Sequence, residues 1–348
     1  MFNNKTVFIV GAGASFEIGL PVGTDLTGII AQKLDIKNNG SWDVHGDKSL
    51  LRAVAAMAQA TGSYGQAMNR FSDAAQEISR AMPQAISIDN FLHTHADDAD
   101  IVALGKMGIA ASILEAEQAS RIYRQEHGVY SIDFGAVKSW HNTFCKMLTE
   151  NVQRQEVEKI FDNVAFISFN YDRCIEHYMS VWLSTYMRIS FAEACRICNK
   201  LQIFHPYGQV GKLPWQTDDG VGVGFGEQLS EYNISNTARQ IRTFTERVDD
   251  EEMLSRMRNT VSDASTIIYL GFAYARMNME LLRVNYTGTQ KRVYGTTYFM
   301  SEANKKQSID RVSYALSSKD SGHMIVRQTF ESVSANQLLN DYWYELSA

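Results

Sequence analysis

Two short segments of this sequence carry residue types that bind and activate small polar ligands. The first lies directly after the apolar run 6–10, where Gly-Ala-Gly-Ala-Ser occupies positions 11–15. Backbone amides at a turn from a strand into a helix point outward, and glycine allows a diphosphate to approach them closely. Positions 11–15 therefore predict a phosphate-binding turn, although close packing of the chain alone also demands glycine.

The second segment, Asn170-Tyr171-Asp172, follows the apolar run 164–169, and His205 ends the next apolar run at 201–204. An asparagine side chain both donates and accepts hydrogen bonds, which suits it to hold a sugar hydroxyl or a water molecule. Histidine titrates near neutrality and takes a proton from either group. We expect a site built on Asn170 and His205. A turn residue and a buried structural histidine are the alternative interpretations.

The elements that must position these residues are strands separated by helices. Apolar runs rich in β-branched and aromatic residues end in polar or glycine-containing turns at 6–10, 164–169, 201–204, 266–270 and 292–294, and a last strand and helix are predicted over 322–345. This alternation indicates an α/β fold with a Rossmann-like, mostly parallel sheet flanked by helices. Because carboxyl ends of parallel strands meet at one edge, Ser15, Asn170, His205 and Gly271 should converge on one crevice.

The helices are predicted from apolar residues at helical spacing. Helices are expected over 24–34, 134–152 and 237–260, and residues 211–235 are expected to form a glycine-rich loop. The stretch from about 36 to 155 is interpreted as a helical insertion between the glycine turn and the Asn-Tyr-Asp segment. The chain has only 4 prolines and no low-complexity linker, so residues 1–348 are expected to form a single domain with an inserted helical layer.

Composition narrows the class of protein. The formal net charge is −6 and no basic run occurs, which argues against direct nucleic-acid binding. No apolar stretch approaches the roughly 20 residues that cross a bilayer, and no secretory signal is visible. The four cysteines are sparse for so long a chain, as is usual in a reducing compartment. These features predict a cytoplasmic protein that does not enter a membrane.

The glycine turn departs from the fingerprint of hydride-transfer enzymes. That fingerprint places a third glycine at position 16, where this chain has Phe16, and an acidic residue at the end of the second strand, which is missing here. An ordinary NAD-dependent dehydrogenase is therefore disfavoured.

Taken together, the segments resemble the sirtuin family over about half of the chain. The stretch from Gly11 to Pro21 resembles its first motif, in which Gly-Ala-Gly-x-Ser leads to Gly-Ile-Pro. Asn170-Tyr171-Asp172 resembles its Asn-x-Asp motif, His205 its catalytic histidine, and 267–272 the later strand and glycine that contact adenosine. The resemblance implies that Asn170 and His205 are catalytic. It also implies a set of residues that contact NAD: Gly11, Ala12, Gly13, Ser15, Asp172, Gly271 and Phe272.

One departure from the family narrows the expected activity. Protein-deacylating sirtuins hold a structural zinc on two cysteine pairs, whereas Cys195 and Cys198 form the only CxxC here, so no zinc is expected. In this respect the chain resembles the prokaryotic sirtuin-like NAD hydrolases of anti-phage defence. That resemblance implies cleavage of NAD, as substrate, to nicotinamide and ADP-ribose by a homo-oligomer. It also implies, in some cases, a partner ATPase of the HerA type or an Argonaute.

Two other functions are compatible with the same residues. A deacylase or ADP-ribosyltransferase would share the first step and differ in the nucleophile that captures the ribose. A non-catalytic sensor would bind NAD or ADP-ribose without turnover.

Overall fold

A computed structural model describes residues 2–36, 46–247, 250–284, 290–316 and 325–347. The strands in these ranges are β1 (Thr6–Val10), β2 (Gln125–Glu126), β3 (Val129–Tyr130), β4 (Val164–Ser168), β5 (Gln202–Phe204), β6 (Thr266–Leu270), β7 (Lys291–Thr296) and β8 (Ile325–Glu331). Strands β2 and β3 form a small hairpin, and the other six form one parallel sheet in the order β5-β4-β1-β6-β7-β8. Counted along the chain within the sheet, this order is 3-2-1-4-5-6, that of the Rossmann fold. The predicted α/β fold with a parallel sheet flanked by helices is confirmed.

The helices that the structure describes are α1 (Ala12–Ser15), α2 (Gly23–Lys33), α3 (Lys48–Ala60), α4 (Tyr64–Ala81), α5 (Ile88–Thr94), α6 (Ala99–Ala119), α7 (Trp140–Thr149), α8 (Cys174–Met187), α9 (Phe191–Cys198), α10 (Glu231–Ala238), α11 (Phe244–Arg247), α12 (Glu251–Asp263), α13 (Arg276–Leu281), α14 (Glu302–Ala315), α15 (Ala335–Asp341) and α16 (Trp343–Leu346). Single 3-10 turns cover Phe16–Ile18, Met82–Gln84, Arg154–Lys159 and Pro214–Gln216.

Both faces of the sheet are buried at the three central strands β4, β1 and β6, as expected for a parallel sheet between helical layers. Successive side chains of a strand point to opposite faces. On β1, Phe8 and Val10 belong to a core shared with α7, α8 and α15, whereas Val7 and Ile9 belong to a core shared with α12, α13 and α14. The central strand β1 is therefore buried at every position, and it is apolar from Val7 to Val10.

A third core lies within the stretch that was interpreted as an insertion. Helices α3 to α6 bury their apolar faces against one another and against α2 and α10. Helix α7 packs with the sheet instead, through Trp140 and Phe144. Helices α3 to α6 thus form a helical layer within the predicted range 36–155, and residues 37–45 of that range lie outside the described ranges.

Several element boundaries differ from the sequence-based expectation. The helix predicted over 134–152 begins only at Trp140. The expected single helix over 237–260 is three helices, because α10 begins earlier at a Ser230 cap and Asp250 caps a new helix, α12. Helix α10 therefore occupies the end of the predicted loop 211–235.

The carboxyl-terminal part of the fold contains an element that was not predicted. Helix α14 connects β7 to β8. The predicted last strand is confirmed from Ile325 onward, and residues 322–324 of the prediction lie outside the described ranges. Among the helices that are described, none is long and apolar enough to cross a membrane.

Candidate functional site

The glycine turn lies where the ends of β1 and β6 touch. A Cβ atom on Gly11 would stand 2.6 Å from the Gly271 carbonyl oxygen, and one on Gly13 would stand 2.9 Å from it. Gly271 itself has a φ of +56°, and its own Cβ would stand 1.9 Å from the Ala14 amide nitrogen. Glycine at these positions is therefore required by the close crossing of two backbones, whether or not a ligand binds there.

The amides of this turn differ from the outward-pointing set that the sequence predicts. The Gly11 amide donates to the Leu270 carbonyl at 2.9 Å, and the Gly13 amide donates to the Gly271 carbonyl at 3.0 Å. The Ala14 amide donates to the Gly11 carbonyl at 2.9 Å. Three of the amides on which the prediction relied are thus already paired within the protein. Diphosphate binding at the turn remains a prediction.

Asn170 is held in one orientation by a chain of buried side chains. It lies just beyond the end of β4, and its Nδ2 group donates to the Ser15 hydroxyl at 3.0 Å. The Ser15 hydroxyl donates in turn to Oδ2 of Asp172 at 3.0 Å. All three residues are buried. Because Nδ2 is directed to Ser15, the Oδ1 atom of Asn170 is the acceptor that remains for a ligand hydroxyl or water.

Asp172 anchors this chain at the start of α8. Its Oδ1 atom accepts a hydrogen bond from the Cys174 amide at 3.1 Å, and its Oδ2 atom accepts the bond from Ser15. Burial raises the pKa of the Asp172 carboxyl, and these hydrogen bonds oppose that rise. This bond from the amide two residues ahead is typical of an Asx-turn, and it lies just before α8, whose N-cap residue is Arg173. The contact with nicotinamide that the family resemblance implies stays a prediction.

His205 follows β5 and turns toward Asn170. Its Nδ1 atom lies 3.4 Å from the Asn170 carbonyl oxygen, and its Nε2 atom lies 2.8 Å from Oε1 of Glu176. A tight turn follows, in which the Gly208 amide donates to the His205 carbonyl at 2.9 Å. Burial by itself would lower the pKa of His205, but the Glu176 carboxylate, the Asn170 carbonyl and the Asp172 carboxylate together raise that pKa.

Glu176 was missed by the sequence reasoning, which saw no signal joining it to His205 across 29 residues. The available signal was helical spacing. Glu176 stands four residues after Asp172, in the first turn of α8, and therefore on the same face of the helix start.

A buried ion pair anchors α8 from the other side and was also missed. Arg173 donates to both carboxylate oxygens of Glu117 on α6, and the two side chains have no exposed surface. Arg173 also donates to the carbonyls of Val223 and Gly224, so it ties the glycine-rich segment to the start of α8.

The structure confirms the predicted proximity of Ser15, Asn170, His205 and Gly271. Ser15, Asn170 and His205 are joined by the contacts described above, and Gly271 touches the glycine turn. The Phe272 ring is the exception, since it is buried against Phe169 in a core cluster. Its predicted contact with adenosine would have to be made by its backbone.

The two cysteines of the CxxC segment lie on α9 and are buried. Within the described ranges, no group of three or more His, Cys, Asp or Glu side chains is placed to hold a metal ion.

Comparison of the chain with known protein families finds no matching family model, and comparison with curated proteins finds no significant match.

Proposed function

We propose that this chain is an NAD glycohydrolase that cleaves NAD to nicotinamide and ADP-ribose. The observation that supports this best is the meeting of an oriented asparagine and a carboxylate-bound histidine beyond the ends of β4 and β5. Binding of a ribose and removal of a proton from water require these two group types. The Rossmann strand order favours a ligand at this edge of the sheet.

The first step of the proposed reaction, departure of nicotinamide from the ribose, needs no proton transfer from the protein. Nicotinamide attached to ribose is cationic and leaves as a neutral molecule, so protonation by a glycosidase-type general acid is unnecessary. The protein must hold the ribose and place a water molecule on the vacated face. Asn170 suits this task, because its bond to Ser15 leaves Oδ1 available as an acceptor.

His205 is the proposed base. Donation of Nε2–H to Glu176 selects the tautomer that has its lone pair on Nδ1. The Asn170 carbonyl, 3.4 Å from Nδ1, can accept a weak hydrogen bond once Nδ1 is protonated, so it stabilises the imidazolium that forms when His205 takes a proton. The bond from C1′ to the nicotinamide nitrogen breaks with its electron pair on nitrogen, a water oxygen bonds to C1′, and the water proton passes to Nδ1 and then to solvent.

On the family resemblance alone, we extend the proposal to the biological role. The enzyme would be the NAD-depleting effector of an anti-phage defence system and would act as a homo-oligomer. A HerA-type ATPase or an Argonaute is the partner that the resemblance implies.

The proposed roles are tested by the rate of nicotinamide release. Asn170→Ala and His205→Ala are each expected to lower that rate by about 10²–10³, the usual loss on removal of a transition-state contact. His95→Ala, which removes an exposed histidine outside the site, should leave the rate unchanged. Unchanged rates in both site variants would contradict the proposal.

A further inference from the structure

A cavity of about 480 Å³ opens beside β5, the edge strand of the sheet. His205 and Glu176 form part of its wall, but Asn170 and the residues of the glycine turn do not line it. The other walls come from the end of α9 and from residues within 208–216 and 239–253. The volume is in the range of small-ligand sites.

Two buried acceptors in this wall lack a donor. They are Oε2 of Glu176 and Oε1 of Gln209, and neither has a hydrogen-bond partner within the described ranges. The two residues are 3% and 9% exposed, so bulk water reaches them poorly. A buried acceptor without a donor is destabilising. Both residues line the cavity, so a ligand hydroxyl or amino group that reached either atom would supply the missing hydrogen bond.

Two cations at the rim of the cavity are available to an anion. Lys212 and Arg239 are exposed, and no carboxylate of the described residues lies within ion-pair distance of either one. Arg242 is different, because it forms an ion pair with Asp250 at 2.7 Å. The rim thus offers an ammonium and a guanidinium group, which together suit a phosphate.

The remaining wall is partly apolar and includes an aromatic ring. Trp215 is half-buried in the wall, beside Cys198 and Leu201. An indole ring provides a flat surface on which a planar heterocycle can stack.

We propose that this cavity is a mononucleotide site. The phosphate would bind Lys212 and Arg239, the ribose hydroxyls would donate to Glu176 and Gln209, and the base would pack on Trp215. His205 and Glu176 of the proposed catalytic site border this cavity, whereas Asn170 and the residues of the glycine turn do not, and AMP binding is expected whether or not the chain cleaves NAD.

The test is calorimetric titration of the full chain with AMP, which contains no nicotinamide and cannot undergo the proposed cleavage. Lys212→Ala and Arg239→Ala should each weaken AMP binding about tenfold, because each removes one charge-assisted contact. Gln209→Leu, which keeps the side-chain size, should weaken it similarly. Lys306→Ala removes an exposed lysine outside the cavity and is the matched control, with unchanged affinity.

Two comparisons locate the bound nucleotide. Adenosine should bind at least tenfold more weakly than AMP, because it lacks the phosphate. Asn170→Ala should retain the AMP affinity, since Asn170 does not line the cavity. AMP that does not bind, or that loses affinity in Asn170→Ala but keeps it in both rim variants, would overturn the proposal. If Gln209→Leu does not fold, the AMP affinities of Lys212→Ala and Arg239→Ala still decide the proposal. Nicotinamide release from NAD is measured in a separate experiment, so the mononucleotide site can be wrong while the hydrolase assignment is right, and the reverse.

Discussion

Two buried carboxylates approach the first turn of α8, and they are satisfied to very different degrees. Glu117 accepts hydrogen bonds from the Arg173 amide, from the Arg173 guanidinium and from the Gly226 amide, so both of its oxygens are engaged. Glu176 bonds His205 through one oxygen, while the other has no partner within the described ranges.

This difference indicates that the pair of Glu117 and Arg173 is structural, whereas the pair of Glu176 and His205 can still form hydrogen bonds with a ligand. A buried ion pair whose hydrogen bonds are complete holds its elements in place, and breaking it leaves a charge without compensation. The pair of Glu176 and His205 keeps an unpaired oxygen and a ring nitrogen with only a 3.4 Å contact. Unpaired buried groups in a cleft are more typical of a working site than of a scaffold.

The largest effect on stability is expected at the pair of Arg173 and Glu117, whose hydrogen bonds are complete. Arg173→Met removes the cation and leaves Glu117 buried and unpaired, so the free energy of unfolding should fall by about 3–5 kcal/mol. Denaturant titration measures this change. The double variant that adds Glu117→Gln should recover part of the loss. If Arg173→Met lowers the free energy of unfolding by less than about 1 kcal/mol, the pair of Arg173 and Glu117 contributes no more than a surface ion pair. The contrast with the pair of Glu176 and His205 would then be wrong.

A smaller effect on stability and a specific effect on catalysis are expected at Glu176. Glu176→Gln keeps the shape and should change the free energy of unfolding by about 1 kcal/mol or less. In the wild type, the base must be neutral, so the rate of nicotinamide release should rise with pH through a pKa above the ordinary histidine value of 6.5. Removal of the carboxylate leaves burial as the main influence and lowers that pKa.

The rate profile of Glu176→Gln should therefore reach half of its maximum at a lower pH than that of the wild type. This shift marks a positioning role, since a merely structural contribution would scale the rate without moving the profile. Identical profiles for the two proteins would show that the Glu176 contact does not control the protonation of His205.

Strand ends were predictable from the sequence because their signals are local. The apolar run 6–10 leads into glycines, and the run 164–169 leads into Asn170, so both the strands and their common edge follow from short-range patterns. Parallel pairing then brings Ser15 to Asn170 across 155 positions of the chain. Fold class and the meeting of these residues could thus be predicted together.

Contacts that depend on helix packing could not be predicted in this way. Glu117 reaches Arg173 from a helix 56 residues earlier, and nothing in the local pattern distinguishes it from a surface glutamate. The break in the helix expected over 237–260 depends on Asp250, whose side chain caps α12, and the local sequence does not distinguish a capping aspartate from one that faces solvent. Two of the paired amides of the glycine turn, those of Gly11 and Gly13, bond the carbonyls of Leu270 and Gly271, which lie far away in sequence.

The central claim is that the pair of Glu176 and His205, with Asn170, serves the hydrolysis of NAD. It is tested most directly by a mass balance of the products. Purified protein is incubated with NAD, and nicotinamide, free ADP-ribose and protein-linked ADP-ribose are quantified by mass spectrometry. The account predicts equal amounts of nicotinamide and free ADP-ribose in the wild type and almost none in Asn170→Ala. NAD that binds but stays intact would contradict it and favour a sensor, and ADP-ribose found on protein would favour a transferase.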